Sequence, residues 1–374
     1  MRLDGLDAYE RLGVRRVINA SGRMTALGGA AVRPEVARAM AEAAGSFVDV
    51  AELKAAASRR IAELTGAEGA YLTTGAAAGI AVMTAAAVAG TDPARVAALP
   101  DADWEPCEIV LQAGHLIDFG APLRQMVRLG GGRPVAVGSV NQVRAAELAA
   151  AIGPRTAAVL FVQSHHAVQK GMLGLDEVTA IARAAGVPVL VDAAAEEDLS
   201  AYLVADLVAF SGGKAPEGPT SGFVLGRRGL IAGCWAQERG IARPMKIGKE
   251  AVVGLLAALE AYVARDAATE SGHRRAVVDG LLAELRGIDG IVLGVETDEA
   301  GRDIPRVTLG VAPGAGFSLA ELVRELQAGS PAIHARTHHL REGRVALDPR
   351  PLLPGEPAIV GAGVRAAVRR LTSR

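Results

Sequence analysis

Between residues 70 and 226 this chain repeats one pattern, a short apolar run followed by a segment with helical spacing. The runs are Ala70–Thr73, Glu108–Gln112, Pro134–Val137, Ala157–Val162, Val187–Asp192, Asp206–Phe210 and Gly222–Gly226. Helical periodicity covers Gly75–Ala89, Gln142–Ala151 and Leu175–Ala185 between them, and Ala51–Leu64 ahead of them. Near-continuous apolar runs separated by helices are how parallel strands buried on both faces read. The expectation is therefore an α/β fold, a mostly parallel seven-stranded sheet covered on both sides. The short connection before Gly222–Gly226 allows that strand to run antiparallel.

A long helix over Gly248–Asp266 leads out of this region. From Ser271 the pattern is helix, strand (Ile291–Val295), strand (Arg306–Val311), helix (Ser318–Gln327), strand, strand, helix, which suits a smaller α+β domain. The expected division is an N-terminal arm on the small domain over 1–30, a large domain over 31–250 and a small domain over 251–374. With 374 residues, half of them hydrophobic, two cores are within reach.

The net charge of −1 and the 3% aromatic content offer no basic field or stacking platform for nucleic acid. Cys107 and Cys234 stand far apart, outside any metal or redox spacing, which fits a reducing cytoplasm. The segment Met1–Arg16 lacks the apolar core of a signal peptide, and Gly75–Gly90 is too short and too rich in Gly and Ala to span a bilayer. The expected partner is a small molecule, with neither membrane nor nucleic acid involved.

Of the 40 basic residues only five are lysine: Lys54, Lys170, Lys214, Lys246 and Lys249. Arginine stays protonated and forms no imine, whereas lysine can lose its proton and act as nucleophile or base. Each lysine therefore invites inspection. Ligands of open α/β sheets sit outside the carboxyl ends of the strands, so the residues just after strands come first.

After the first strand, Thr74, Gly75, Ala76 and Ala77 open an apolar helix. Small residues at a helix N-terminus form an anion cup, and tight helix–sheet packing asks for the same residues. Asp192 ends a strand, where a carboxylate can keep a pyridine nitrogen protonated or cap a helix. Ser211-Gly212-Gly213-Lys214 follows the next strand. A lysine on a Gly-rich turn at the mouth of a buried sheet is poised for a lowered pKa, and Ser211 can donate to the same anion; the competing reading is a solvated loop lysine. Cup, acid and lysine stand in the order and spacing of a pyridoxal 5′-phosphate (PLP) enzyme of the aspartate aminotransferase fold. His115 follows another strand and is placed to lie flat on a cofactor ring. His165 and His166 follow the strand ending at Val162 and are placed to contact ring or substrate. A metal set built from these two with His334, His338 and His339 has no acidic or cysteine ligand at suitable spacing, so no metal is expected.

At this point the residues resemble a known group. Arg16–Gly22, Asp192–Asp198, Ser211–Gly222 and Met245–Glu250 are similar to the selenocysteine-synthase-like branch of fold type I PLP enzymes. Within that branch, Ser164–Leu173 looks most like D-glucosaminate-6-phosphate ammonia-lyase and its relatives. The likeness spans nearly the whole chain. It implies Lys214 as the Schiff-base lysine, Asp192 at the pyridine nitrogen, and Thr74 to Ala77 with Ser211 at the phosphate. It also implies Lys249 at the phosphate of a neighbouring subunit's cofactor, hence a homo-oligomer with sites at subunit boundaries, and Arg336 at the substrate carboxylate, where a guanidinium fork matches two oxygens. The alternative for Arg336 is an ordinary surface arginine. Arg23, Lys170, Arg239, Arg243 and Lys246 are candidates for a second substrate anion.

The activity implied is α,β-elimination of ammonia from a small amino acid or amino-sugar acid such as D-glucosaminate 6-phosphate, giving a 2-keto acid. An amino-acid racemase is the nearest rival, because the same α-carbanion serves both. A tRNA-dependent transferase is expected to carry an extra N-terminal portion and a basic field, and a non-catalytic module is expected to lose its lysine.

Overall fold

The computed structural model describes residues 8–164, 166–298 and 302–373. They form two compact units: the N-terminal segment through Gly29 with residues 265–374, and Ala30–Ala264. The strands in chain order are β1 (Val17–Ala20), β2 (Gly69–Thr73), β3 (Glu108–Gln112), β4 (Arg133–Val137), β5 (Thr156–Val162), β6 (Val189–Asp192), β7 (Leu207–Ser211), β8 (Gly222–Gly226), β9 (Ile291–Glu296), β10 (Arg306–Val311), β11 (Ala332–Ala335) and β12 (Val345–Leu347).

In the larger unit seven strands form one sheet in the order β2-β8-β7-β6-β5-β3-β4. All neighbours are parallel except β8, which runs antiparallel to both β2 and β7, as its short connection allowed. Alternate residues feed two cores. Val110, Val159 and Phe161 face helices Val50–Thr65, Leu175–Ala184 and Lys249–Val263, while Ile109, Leu111, Leu160 and Val162 face Ala76–Ala89 and Leu123–Leu129. Helix Ala76–Ala89 is apolar on nearly every side because sheet and neighbouring helices enclose it. Gly79 lets it sit close to the sheet: a Cβ there would lie 3.0 Å from the Cβ of Ala209.

Helix Lys249–Val263 belongs wholly to the larger unit, so the division falls after Ala264 instead of at residue 250. Its Gly254 faces Met40 of helix Pro34–Ala44, where a Cβ would come within 2.5 Å of the Met40 side chain. The helix expected over Gln142–Ala151 begins only at Ala145. The N–H of Val143 is committed to the carbonyl of Gly171 at 3.0 Å, which holds that stretch out of helical geometry.

In the smaller unit β1 pairs parallel with β11, and β9 and β12 flank β10 in antiparallel register. Helices Ala267–Leu285, Leu319–Ala328 and Glu356–Thr372 cover the core formed by Leu281, Leu309, Leu322, Leu347 and Val364. A reciprocal capping box between Ser318 and Glu321 starts the second of these helices.

Arg306, 0% exposed, is the charged centre of this core. Its Nε donates to Asp348 at 3.0 Å and one terminal nitrogen donates to Asp298. Arg350 grips Asp348 with two further bonds of 2.9 and 2.7 Å, and the Asp348 N–H reaches the Ala20 carbonyl of β1 at 2.8 Å. Burial alone would raise both carboxylates. The facing guanidinium groups reverse this and hold them far below the usual range. A carboxylate depressed on folding adds stability above its unfolded pKa of about 4 and loses that contribution as pH falls toward the folded value. Denaturant titrations of the wild type should therefore show stability decreasing below about pH 4. Asp348→Ala, which strands Arg306 and Arg350, should cost the small unit about 3–5 kcal/mol at neutral pH; an unchanged midpoint would count against this network.

Candidate active site

The carboxyl ends of β6 and β7 lie side by side, with Asp192 registered against Ala209. Asp192 is 5% exposed, and its Oδ1 accepts the N–H of Ala194 at 3.1 Å. No helix begins there among the described residues, so the capping role for Asp192 is excluded. Burial pushes its carboxyl up to about 6, while the charge of Lys214 acts on it in the opposite direction. The Lys214 ammonium is thus close enough to the strand-end carboxylate to be felt, and the side chain is half-buried, not a solvated loop lysine.

The loop that carries Lys214 is closed by its own backbone. The Gly212 N–H donates to Ser221 at 2.9 Å and the Gly218 N–H donates to Gly212 at 2.8 Å. Gly212 has to lack a side chain, because a Cβ would lie 2.2 Å from Ser221 Oγ. Across the sheet Ser211 and Thr73 are both registered on Gly222, which brings the Thr74–Ala77 turn to the same edge as Ser211. A Cβ on Gly222 would come within 2.5 Å of the Gly75 carbonyl carbon. Thr74, Gly75 and Ala77 are partly accessible, Ala76 is buried, and Gly75 offers no capping side chain to the N–H groups of helix Ala76–Ala89. Gly79 serves packing, and the Gly75 turn leaves the first backbone N–H groups of the helix without a side-chain cap.

These residues fit PLP. A carboxylate in an apolar setting gains from a protonated ring nitrogen, an uncapped helix N-terminus suits a phosphate, and the glycines clear backbone from the space.

Other expected members lie elsewhere. His115 is 0% exposed; its Nδ1 accepts the N–H of Val162 at 3.2 Å and its ring meets Phe161 edge-on at 4.7 Å. Burial lowers it to about 4, and with no face toward open space it is a neutral core residue, a correction to the ring-stacking expectation. Lys249 likewise turns into its own chain. Its ammonium bonds the carbonyls of Ala43 and Ala44 and the carboxylate of Glu250, which closes helix Pro34–Ala44 with positive charge at its C-terminus. All three donors are used there within the chain itself.

His166 and Lys170 are exposed on the turns after β5, as are Arg239, Arg243 and Lys246 further along, and His165 lies outside the described residues. Arg336 and Arg23 belong to the smaller unit. Arg336 is 4% exposed, which excludes the surface-arginine reading, and Arg23 is partly buried. Among the described residues no group of three or more His, Cys, Asp or Glu could hold a metal ion, and no helix is long and apolar enough to cross a membrane. Sequence reasoning missed Gly222, whose role depends on pairing across two strands, and Glu196, a buried acid four positions past Asp192.

Known proteins align along almost all of the chain. It is 45% identical over 360 residues, 96% of each chain, to D-glucosaminate-6-phosphate ammonia lyase of Salmonella typhimurium (strain 14028s / SGSC 2262). It is 47% identical over 358 residues, 94% of this chain and 90% of the relative, to 5′-C-glycyluridine monooxygenase-decarboxylase of Streptomyces sp. A solved structure of D-glucosaminate-6-phosphate ammonia-lyase matches with a TM-score of 0.91 at 43% identity, covering 98% of this chain and 100% of that one. The fold is fold type I of the PLP-dependent enzymes. The family described as SelA: L-seryl-tRNA selenium transferase matches residues 17–286, and with these relatives it establishes that the chain belongs to that family.

Proposed function

We propose that this protein is a PLP-dependent carbon–nitrogen lyase that removes ammonia from a small amino acid or amino-sugar acid of the D-glucosaminate 6-phosphate kind and leaves a 2-keto acid. The observation that carries the reading is a buried carboxylate, Asp192, acted on by the charge of Lys214 from the neighbouring strand end. The likeness to an ammonia lyase over 96% of both chains supports the substrate class. A cytoplasmic homo-oligomer belongs to the same reading.

When bound, PLP would supply an aldehyde function for the substrate amine and an electron-withdrawing ring next to the α-carbon. Asp192 holds a proton on the ring nitrogen by opposing its charge in a dry setting. Lys214, on the Gly212-Gly213 turn, takes the α-proton as general base. The hydroxyls of Thr74 and Ser211, with the N–H groups of Gly75, Ala76 and Ala77, would hold the phosphate. Arg336 is assigned to the substrate carboxylate. The α-proton and the β-hydroxyl leave together as water, and one water returned at the α-carbon releases ammonia and the 2-keto acid, so atoms balance.

A second reading is supported by the 47% identity to the glycyluridine monooxygenase-decarboxylase, an oxidative loss of carbon dioxide from an α-amino acid. Incubation with D-glucosaminate 6-phosphate should yield ammonia and 2-keto acid in equal amounts. Uptake of oxygen with release of carbon dioxide from 5′-C-glycyluridine, and no turnover of the sugar acid, would favour the second reading.

Wild-type protein incubated with PLP should gain a visible absorption band that borohydride removes. Lys214→Ala should lack the band and lose activity by about 10²–10⁴-fold or more, and a variant with wild-type colour and rate would defeat the role of that lysine. Asp192 is raised by burial to about 6, so below that pH the carboxyl carries its own proton and no longer opposes a ring cation. Cofactor affinity, read from the band, should accordingly fall as pH drops through about 6. In Asp192→Asn this inflection should vanish, with turnover down by about 10²–10⁴-fold. Gly222→Ala drives a Cβ into the Gly75 backbone and should weaken cofactor binding by about 10- to 100-fold, the equivalent of about 1–3 kcal/mol of overpacking.

A further inference from the structure

Asp192 is followed by three alanines and then by Glu196, a second carboxylate, 6% exposed. The chain folds back between the two acids: Asp192 accepts from the Ala194 N–H at 3.1 Å, and the Glu196 N–H donates to the Ala193 carbonyl at 3.1 Å. Ala193 is tied to the sheet through its N–H on the Ala209 carbonyl of β7, at 3.0 Å. Glu196 is fixed from the other side, because the hydroxyl of Tyr202 donates to its Oε2 at 3.0 Å. The ring of Tyr202 is itself set against Phe210 of β7, with centroids 6.4 Å apart. Both carboxylates are therefore anchored to the strand whose end carries Lys214.

Like charges buried on one turn raise each other's energy, and a cation that both can oppose relieves the repulsion. Asp192 feels two charges of opposite sign, the carboxylate of Glu196 on its own turn and the ammonium of Lys214 after the next strand. A protonated ring nitrogen opposite Asp192 would balance the three. Glu196 also acts on Asp192 directly, strengthening its hold on a proton, although burial is the larger cause and Lys214 opposes both.

We propose that Glu196 is a positioning residue for the cofactor: fixed by Tyr202, its carboxylate supplies the second negative charge that keeps a proton on the ring nitrogen facing Asp192. The inference rests on the PLP reading above. The titratable groups around this turn are Asp192, Lys214, Glu197, Asp198, Tyr202 and Tyr262. Asp198 is engaged by Ser200 and Ala201, and Glu196 is the carboxylate of this turn whose charge acts on Asp192.

The test is the ¹⁵N NMR shift of ring-labelled PLP in the holoenzyme, followed against pH in wild type, Glu196→Gln and Tyr202→Phe. Glu196→Gln keeps the shape and an acceptor for Tyr202 but removes the charge. Its midpoint for loss of the ring proton should fall by about one pH unit, about a tenfold weaker hold. Tyr202→Phe should move the midpoint in the same direction by less. A purely structural role would lower cofactor affinity or Tm and leave both midpoints at the wild-type value, and that result overturns the proposal. If Glu196→Gln fails to retain cofactor, an unmoved midpoint in Tyr202→Phe overturns it equally. A wild type that takes up no labelled PLP would sink the functional reading first, and this inference with it.

Discussion

The structure turns on one electrostatic arrangement, a carboxylate taken out of water at the end of one parallel strand beside an amine on the turn after the next. Left alone, Asp192 would relieve the cost of burial by taking up a proton, and burial raises its carboxyl accordingly. The lysine charge counters it, and a cationic ring nitrogen would counter it further. Parallel register fixes this pairing, because Asp192 is locked beside Ala209, two residues before the end of β7, and the Gly-rich turn begins at once.

Everything else at the strand ends supports close approach of backbone. Gly212 gives way to Ser221, and Gly222 gives way to Gly75, so two segments far apart in sequence meet without side chains between them. The antiparallel insertion of β8 between β2 and β7 makes this possible, since it brings the Thr74–Ala77 turn that follows β2 to the same edge as Ser211. In the smaller unit a different device does comparable work, with Asp348 joining β1, Arg306 and Arg350 through one buried carboxylate.

Much of this was legible in the residues themselves. Apolar runs marked all seven strands of the large sheet within a residue or two, and the strand-end rule singled out Asp192 and Lys214, because both arguments depend on local pattern. What escaped were properties set by distant partners. His115 follows a strand as a ring-contact residue should, yet its orientation was decided by Val162 and Phe161. Lys249 carries the same charge whether it meets a phosphate or the carbonyl end of a helix, and its closure of helix Pro34–Ala44 depends on packing between distant segments. Glu196 sat in a run of acids that reads as solvated surface; only the fold of the turn buries it.

The central claim is that one amine among five forms the bond to the cofactor. Borohydride reduction of the PLP-loaded protein, followed by mass mapping of its peptides, tests this most directly. The account predicts a pyridoxyl group on the peptide containing Lys214 and on no other. A label on Lys54, Lys170, Lys246 or Lys249, or no label at all, would contradict it.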